Sequence, residues 1–188
     1  MRGRWIGVVM VACLAVAGTS AQQASAKMGF TLSSPAFPDG GEIPVKYTQA
    51  NPAGAVSLPL QWANAPAGTA SFVLMFHDPD VGYQKSVQDI LHYMVLNIPG
   101  TATSLAEGVP AQPTLPDGSI QPKNFRGQPG YLGPGAPAPG PHHHYTWMLY
   151  ALDTKLALGP EATRAEVEAA MSGHVIGKAV FVGRFHRP

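Results

Sequence analysis

Ser71-Phe72-Val73-Leu74-Met75-Phe76-His77-Asp78-Pro79-Asp80 decides the fold. Its first six or seven residues form a nearly continuous apolar run of aromatic, β-branched and long side chains. A short run of that kind, stopped by a turn signal, reads as a central β-strand packed on both faces. Pro79 supplies the stop, because it fixes φ and donates no backbone hydrogen bond. Two further runs, His92–Ile98 and Tyr145–Leu152, have the same character and predict two more central strands.

Working outward, 21 glycines and 19 prolines among 188 residues break the chain into short apolar runs. That punctuation predicts a mainly β fold. Phe30–Phe37 reads as an edge or extended segment, because Pro35 interrupts it and Pro38 follows it. Ile43–Thr48 and Leu58–Trp62 read as short strands, separated by a turn at Asn51-Pro52-Ala53-Gly54. Ala65–Thr69 is the next turn, and Val175–Val182 the last strand. One helix is expected after Pro160-Glu161 or Thr163, with Val167, Ala170 and Met171 on one face and Gly173 as its stop. The segment Pro99–Pro141 is rich in Gly and Pro and long for a loop, a length associated with functional or disordered segments.

The N-terminus is set apart from the fold. Arg2 and Arg4 precede the uncharged apolar stretch Ile6–Ala17, and Ala24-Ser25-Ala26 has the small-x-small pattern of a signal peptidase site. Residues 1–26 are therefore expected to be a cleaved signal peptide, residues 27–188 a single domain, and the periplasm its location. The apolar stretch is shorter than a comfortable bilayer span of roughly 17–25 residues, and no membrane segment is expected after it. A membrane anchor and a lipidated Cys13 are the alternatives. Cys13 is the chain's one cysteine, so a processed protein has no disulfide to stabilise it and no thiol nucleophile. Near-neutral charge without a basic cluster argues against a nucleic-acid partner.

Chemistry concentrates at the strand ends. Asp78 and Asp80 close the first central strand, His92 opens the second, and His142-His143-His144-Tyr145 leads into the third. In an extended segment His143 and Tyr145 share one face, and His142 and His144 the other. If the three strands are neighbours, Asp78, His92, His143 and Tyr145 converge on one pocket. Asp78 and Asp80, two apart, would aim the same way on extended backbone, whereas an Asx turn capping the strand is the plainer reading. Three adjacent histidines are poorly spaced for one tetrahedral metal site. A site of His92, His143 and Asp78, or a surface site of His142 and His144, is the metal alternative. His77 and His174 are read as packing residues, and His186 and Arg187 as a solvated tail. Gly-x-Ser-x-Gly, phosphate-loop and His-Glu-x-x-His signatures are all absent from the sequence. No motif calls for a cofactor, catalysis is not demanded, and acid–base chemistry by His92 and Asp78 stays open.

Taken in order, Pro59-Leu60-Gln61-Trp62, Pro66-Ala67-Gly68-Thr69, Asp78-Pro79-Asp80-Val81-Gly82, His92 to Pro99, Gly130-Tyr131-Leu132-Gly133-Pro134 and His143-His144-Tyr145 resemble the motifs of the phosphatidylethanolamine-binding protein family. The resemblance is to its bacterial Raf-kinase-inhibitor-like branch, and it runs from near Phe30 to Arg187. It implies a large antiparallel sheet packed against a smaller one, with a peripheral C-terminal helix. It also implies a pocket for phosphate, phosphorylethanolamine or acetate, built from Asp78, Asp80, His92, His143 and Tyr145 and bordered by Gly130, Tyr131 and Gly133. The function expected from it is binding of a small anion or phosphorylated head group. A hydrolase or metal-assisted enzyme using His92 and Asp78, and an inhibitor module with a transient protein partner, are the alternatives. Gly82 stands where the family has proline, His144 where it usually has arginine, and Gly135–Pro141 departs from its more compact segment.

Overall fold

The computed structural model describes residues 29–81 and 89–188. The expected signal peptide, Cys13 and Gly82 lie outside the described residues. Eight strands follow in chain order among these residues: β1 (Thr31–Ser33), β2 (Gly41–Glu42), β3 (Leu60–Ala63), β4 (Ser71–Asp78), β5 (Ile90–Pro99), β6 (Ser104–Leu105), β7 (His143–Leu152) and β8 (Val175–Phe185). One helix, α1 (Arg164–Met171), precedes β8.

The strands make a larger sheet in the order β2-β8-β7-β4-β5 and a smaller one in the order β1-β3-β6. Every pairing is antiparallel except that of the two-residue β2, which runs parallel to β8. The expected mainly β architecture of two sheets and a C-terminal helix is thus the one observed. Alternation along β4 sorts its side chains to two cores. Phe72, Leu74 and Phe76 join Trp147, Phe181 and Trp62 between the two sheets. Val73 and Met75 face the other way, onto Leu156, Val167 and Met171 beneath α1. Both faces of β4 are buried, which is why its sequence is continuously apolar.

α1 begins where its sequence says it should. The Thr163 hydroxyl accepts from the Glu166 amide, and the Glu166 carboxylate accepts from the Thr163 amide at 2.7 Å, a complete capping box. Val167 and Met171, four apart, are its buried residues.

Two expectations need correction. Ile43–Thr48 is not a strand: Val45–Tyr47 forms a 3-10 turn. Pro44 has no N–H to give a ladder, its carbonyl accepts from the Tyr47 amide, and the Thr48 amide and hydroxyl both donate to the Val45 carbonyl. Nor is Pro99–Pro141 a structureless loop. β6 pairs with β3, the Trp62 indole donates to the Ala102 carbonyl at 2.8 Å, and Ile120 bridges Leu96 along the open edge of β5. Gln121, fully buried, donates to the Pro110 and Gln112 carbonyls and accepts from the Tyr93 hydroxyl at 2.6 Å. Such a network satisfies the loop's polar groups internally and covers the strand edge.

Candidate functional site

Adjacent central strands bring the predicted polar ends together. β4 lies between β7 and β5, so Asp78 at its end meets His143 at the start of β7 and His92 near the start of β5. A cavity of about 240 Å³ opens there. Asp78, His92, His143 and Tyr145 line it, together with Gln49, Arg126 and Arg187 and an apolar wall that includes Val81, Ile90, Phe125 and Pro137.

His92 owes its orientation to a β-bulge. Phe76 is opposite Tyr93 and His77 opposite Leu91, so His92 is the extra residue in β5. Simple alternation would put His92 on the face opposite Tyr93; the bulge turns it onto the same face. Its ring lies against Phe76 and meets Tyr145 edge-on at 5.3 Å between centroids. The Leu132 carbonyl lies 2.8 Å from Nδ1. A carbonyl only accepts, so Nδ1 carries the proton and Nε2 is the nitrogen left for a ligand. Burial holds the imidazole below its ordinary value of 6.5, and the Arg126 charge pushes the same way, against the Leu132 and Gly133 carbonyls and the Asp78 charge. His92 is therefore neutral at pH 7.

Asp78 is only 2% exposed, and a buried carboxylate requires partners. One oxygen accepts from the Asp80 amide at 3.0 Å, and the other from His143 Nδ1 at 2.7 Å. His143 is thereby held with Nε2 toward the cavity. The Tyr145 hydroxyl accepts from the Gly135 and Ala136 amides at 3.1 and 2.9 Å. Burial and the neighbouring Asp78 charge raise this phenol to about 12, so it stays protonated.

Asp80 does not share the cavity. The chain turns at Pro79, and the Asp80 carboxylate accepts from the His144 amide and faces His144 Nδ1 at 3.0 Å. Burial pushes its carboxyl up, but the His144 bonds and the charges of His144 and His143 outweigh this and leave it below the ordinary range. Asp78 thus caps an Asx turn as well as lining the cavity, whereas Asp80 belongs to the turn alone.

Gly130, Tyr131 and Gly133 support the wall from behind. A Cβ on Gly130 would lie 2.7 Å from the Ala111 Cβ, and one on Gly133 would lie 2.6 Å from the Ala55 Cβ. Tyr131 stacks on Phe76 at 5.4 Å, and its hydroxyl donates to the Tyr47 carbonyl at 3.0 Å. Leu132, between them, is the residue that faces the cavity.

Three polar lining residues escaped sequence reading, beside the apolar wall. Arg126 sits on the Asn124–Gly127 turn, where the Asn124 side chain accepts from the Arg126 amide at 2.9 Å. Gln49 sits beside the 3-10 turn that had been expected as a strand. Arg187 is exposed, as expected of the chain end, yet its amide donates to the Ala136 carbonyl at 3.1 Å and the residue lines the cavity. Elsewhere, His77 pairs with Asp89, which also binds Arg164, and His174 Nδ1 lies 2.8 Å from Asp153. Trp147 stacks on Phe76 within the core. Among the described residues, no cluster of three or more His, Cys, Asp or Glu side chains is arranged to hold a metal ion.

The family model described as phosphatidylethanolamine-binding protein matches residues 33–186. The chain belongs to the phosphatidylethanolamine-binding protein family. It is 40% identical over 156 residues to the UPF0098 protein of Methanothermobacter thermautotrophicus, covering 83% of this chain and 98% of the relative. A UPF0098 protein of Chlamydia pneumoniae is 35% identical over 157 residues, covering 83% and 98%. Among solved structures, the family homologue CT736 of Chlamydia trachomatis superposes with a TM-score of 0.74 at 30% identity, covering 85% of this chain and 99% of that one. YbcL of E. coli, described as a member of the mammalian family, superposes at 0.75 with 25% identity, covering 86% and 100%. Family membership supports a binding role in general. No helix among the described residues is long and apolar enough to cross a membrane.

Proposed function

We propose that this protein is a periplasmic binder of small anions, with phosphate, a phosphorylated head group such as phosphorylethanolamine, or acetate as its ligand class. We place it in the bacterial Raf-kinase-inhibitor-like branch of its family. The observation that carries the reading is the shared commitment of His92 and His143. Each has Nδ1 fixed by an acceptor of the protein, at 2.8 and 2.7 Å, so both present Nε2 at one cavity. Two guanidiniums line the same cavity and supply permanent positive charge.

The size agrees. About 240 Å³ lies below the roughly 300–1,000 Å³ of pockets for drug-sized ligands, and suits a head group rather than a lipid with two acyl chains. The reading is non-catalytic: the imidazoles and guanidiniums serve to hold an anion's charge.

Thermal melting and titration calorimetry with phosphate, phosphorylethanolamine and acetate test the reading. Phosphate at a hundred times its Kd should stabilise the protein by about 2.7 kcal/mol, and His143→Ala should abolish the effect. An unchanged melting temperature with all three anions would refute it. Export is tested separately by sequencing the N-terminus of protein recovered from the periplasm, which should begin near Lys27.

A further inference from the structure

The charges around the cavity separate two kinds of phosphate ligand. An ethanolamine head group attached to a lipid is a phosphodiester with one negative charge and a distal ammonium. Its ammonium requires a carboxylate with a free lone pair or another acceptor. Asp78 is the one acid among the described lining residues. Its two oxygens already accept from the Asp80 amide and His143 Nδ1, at 3.0 and 2.7 Å. Asp80 is turned away to His144. Among the described lining residues, the one carboxylate is 2% exposed and bonded to its own neighbours, so it offers an ammonium little surface.

Positive charge is in surplus. Arg126 and Arg187 both line the cavity, each with a planar guanidinium that can donate two parallel hydrogen bonds to a phosphate. Arg126 is also held in place. Its Nη2 donates to Gln49 Oε1 at 2.7 Å, and Gln49 Nε2 donates to the Gly133 carbonyl at 2.7 Å. Gly135 packs so closely on this amide that a Cβ would lie 2.5 Å from Gln49 Nε2. Gln49 is thus a positioning residue, fixed between the pocket wall and the guanidinium. The arginine is pre-ordered, so less side-chain entropy is lost when an anion binds.

We propose that the cavity selects a phosphomonoester dianion, carrying a short apolar substituent, over the zwitterionic phosphodiester of an ethanolamine head group. The inference rests on the anion-pocket reading above. A monoester presents three terminal oxygens and about two negative charges, against two oxygens and one charge for a diester. Two arginines match the former, and an imidazole that takes up a proton on binding adds a further donor. Ile90, Phe125 and Pro137 form an apolar wall on which the ester substituent packs.

Calorimetry near pH 8 with methyl phosphate, dimethyl phosphate and glycerophosphoethanolamine tests the inference. Methyl phosphate should bind at least about tenfold more tightly than either diester. Arg126→Gln and Arg187→Gln should each weaken methyl phosphate about tenfold while affecting dimethyl phosphate much less, and Arg126→Lys should recover part of the loss. Melting curves confirm that the variants are folded. Equal affinity for the three ligands, tightest binding of glycerophosphoethanolamine, or indifference to both arginines would overturn the inference and leave the anion pocket standing. Failure to bind any anion, acetate and phosphate included, would overturn both. Flotation with phosphatidic acid vesicles identifies the source of the monoester. Retention that methyl phosphate displaces supports a lipid monoester; binding of methyl phosphate without retention supports a soluble one.

Discussion

His143 Nδ1 and an Asp78 carboxylate oxygen lie 2.7 Å apart, although 65 residues separate them in the chain. Antiparallel pairing of β4 and β7 places them together, and the buried carboxylate fixes the imidazole tautomer. That acceptor holds the ring in one orientation and leaves Nε2 as the nitrogen available to a ligand. Asp78→Asn keeps the shape and removes the charge. The expected result is a loss of about tenfold in phosphate affinity, read by calorimetry, because an amide holds the His143 ring less strongly than a carboxylate.

His92 gives the site a pH dependence. Burial, reinforced by Arg126, keeps the free imidazole neutral, yet Nε2 must carry a proton to donate to an anion. Binding therefore draws in a proton, and affinity should rise as pH falls from about 8 to 6. Sulfate is the suitable probe because it does not titrate in this range. Calorimetry in buffers of different ionisation enthalpy should show proton uptake, and His92→Gln should remove its share.

The same group affects stability with the opposite sign. Its folded-state pKa is depressed below 6.5, so the unfolded chain takes up the proton first. The contribution of His92 is fully present above about pH 6.5 and is lost as pH falls through the folded-state value. In ligand-free protein, the stability difference between wild type and His92→Gln should shrink or shift against wild type as pH drops below 6.5. A difference that is flat in pH would contradict a neutral, buried His92.

Gly133 is held by packing rather than by unusual backbone. A Cβ there would lie 2.6 Å from the Ala55 Cβ and 2.8 Å from the Tyr47 carbonyl oxygen. Gly133→Ala should destabilise the protein by about 1–3 kcal/mol and weaken anion binding, because the same segment carries Leu132 against His92. Thr163→Ala is the matched control. Losing the hydroxyl of the capping box should reduce stability by about 1 kcal/mol and leave anion affinity unchanged, since α1 packs on the opposite face of the larger sheet.

The central strands and most of the site were legible because their signals are local. β4 reads as a buried strand from its continuous apolar run, and His143 shares a face with Tyr145 by simple alternation. The signals failed where long-range contacts decide. Ile43–Thr48 has a strand-like pattern, but the Thr48 hydroxyl and Pro44 favour a tight turn. β6 has two residues and exists through its pairing with β3. The bulge that turns His92 inward depends on register against Phe76 and His77, which no window along the chain displays. Arg126 and Arg187 reach the cavity only because the Asn124–Gly127 turn and the chain end fold over its mouth.

The most direct test follows the histidine side-chain nitrogens by ¹⁵N NMR during a phosphate titration. The account predicts that the Nε2 signals of His92 and His143 move toward protonated values while both Nδ1 atoms remain protonated throughout. Saturation should occur at one phosphate per chain. Movement confined to the His142 and His186 rings, or no movement at any histidine, would contradict an anion site in this cavity.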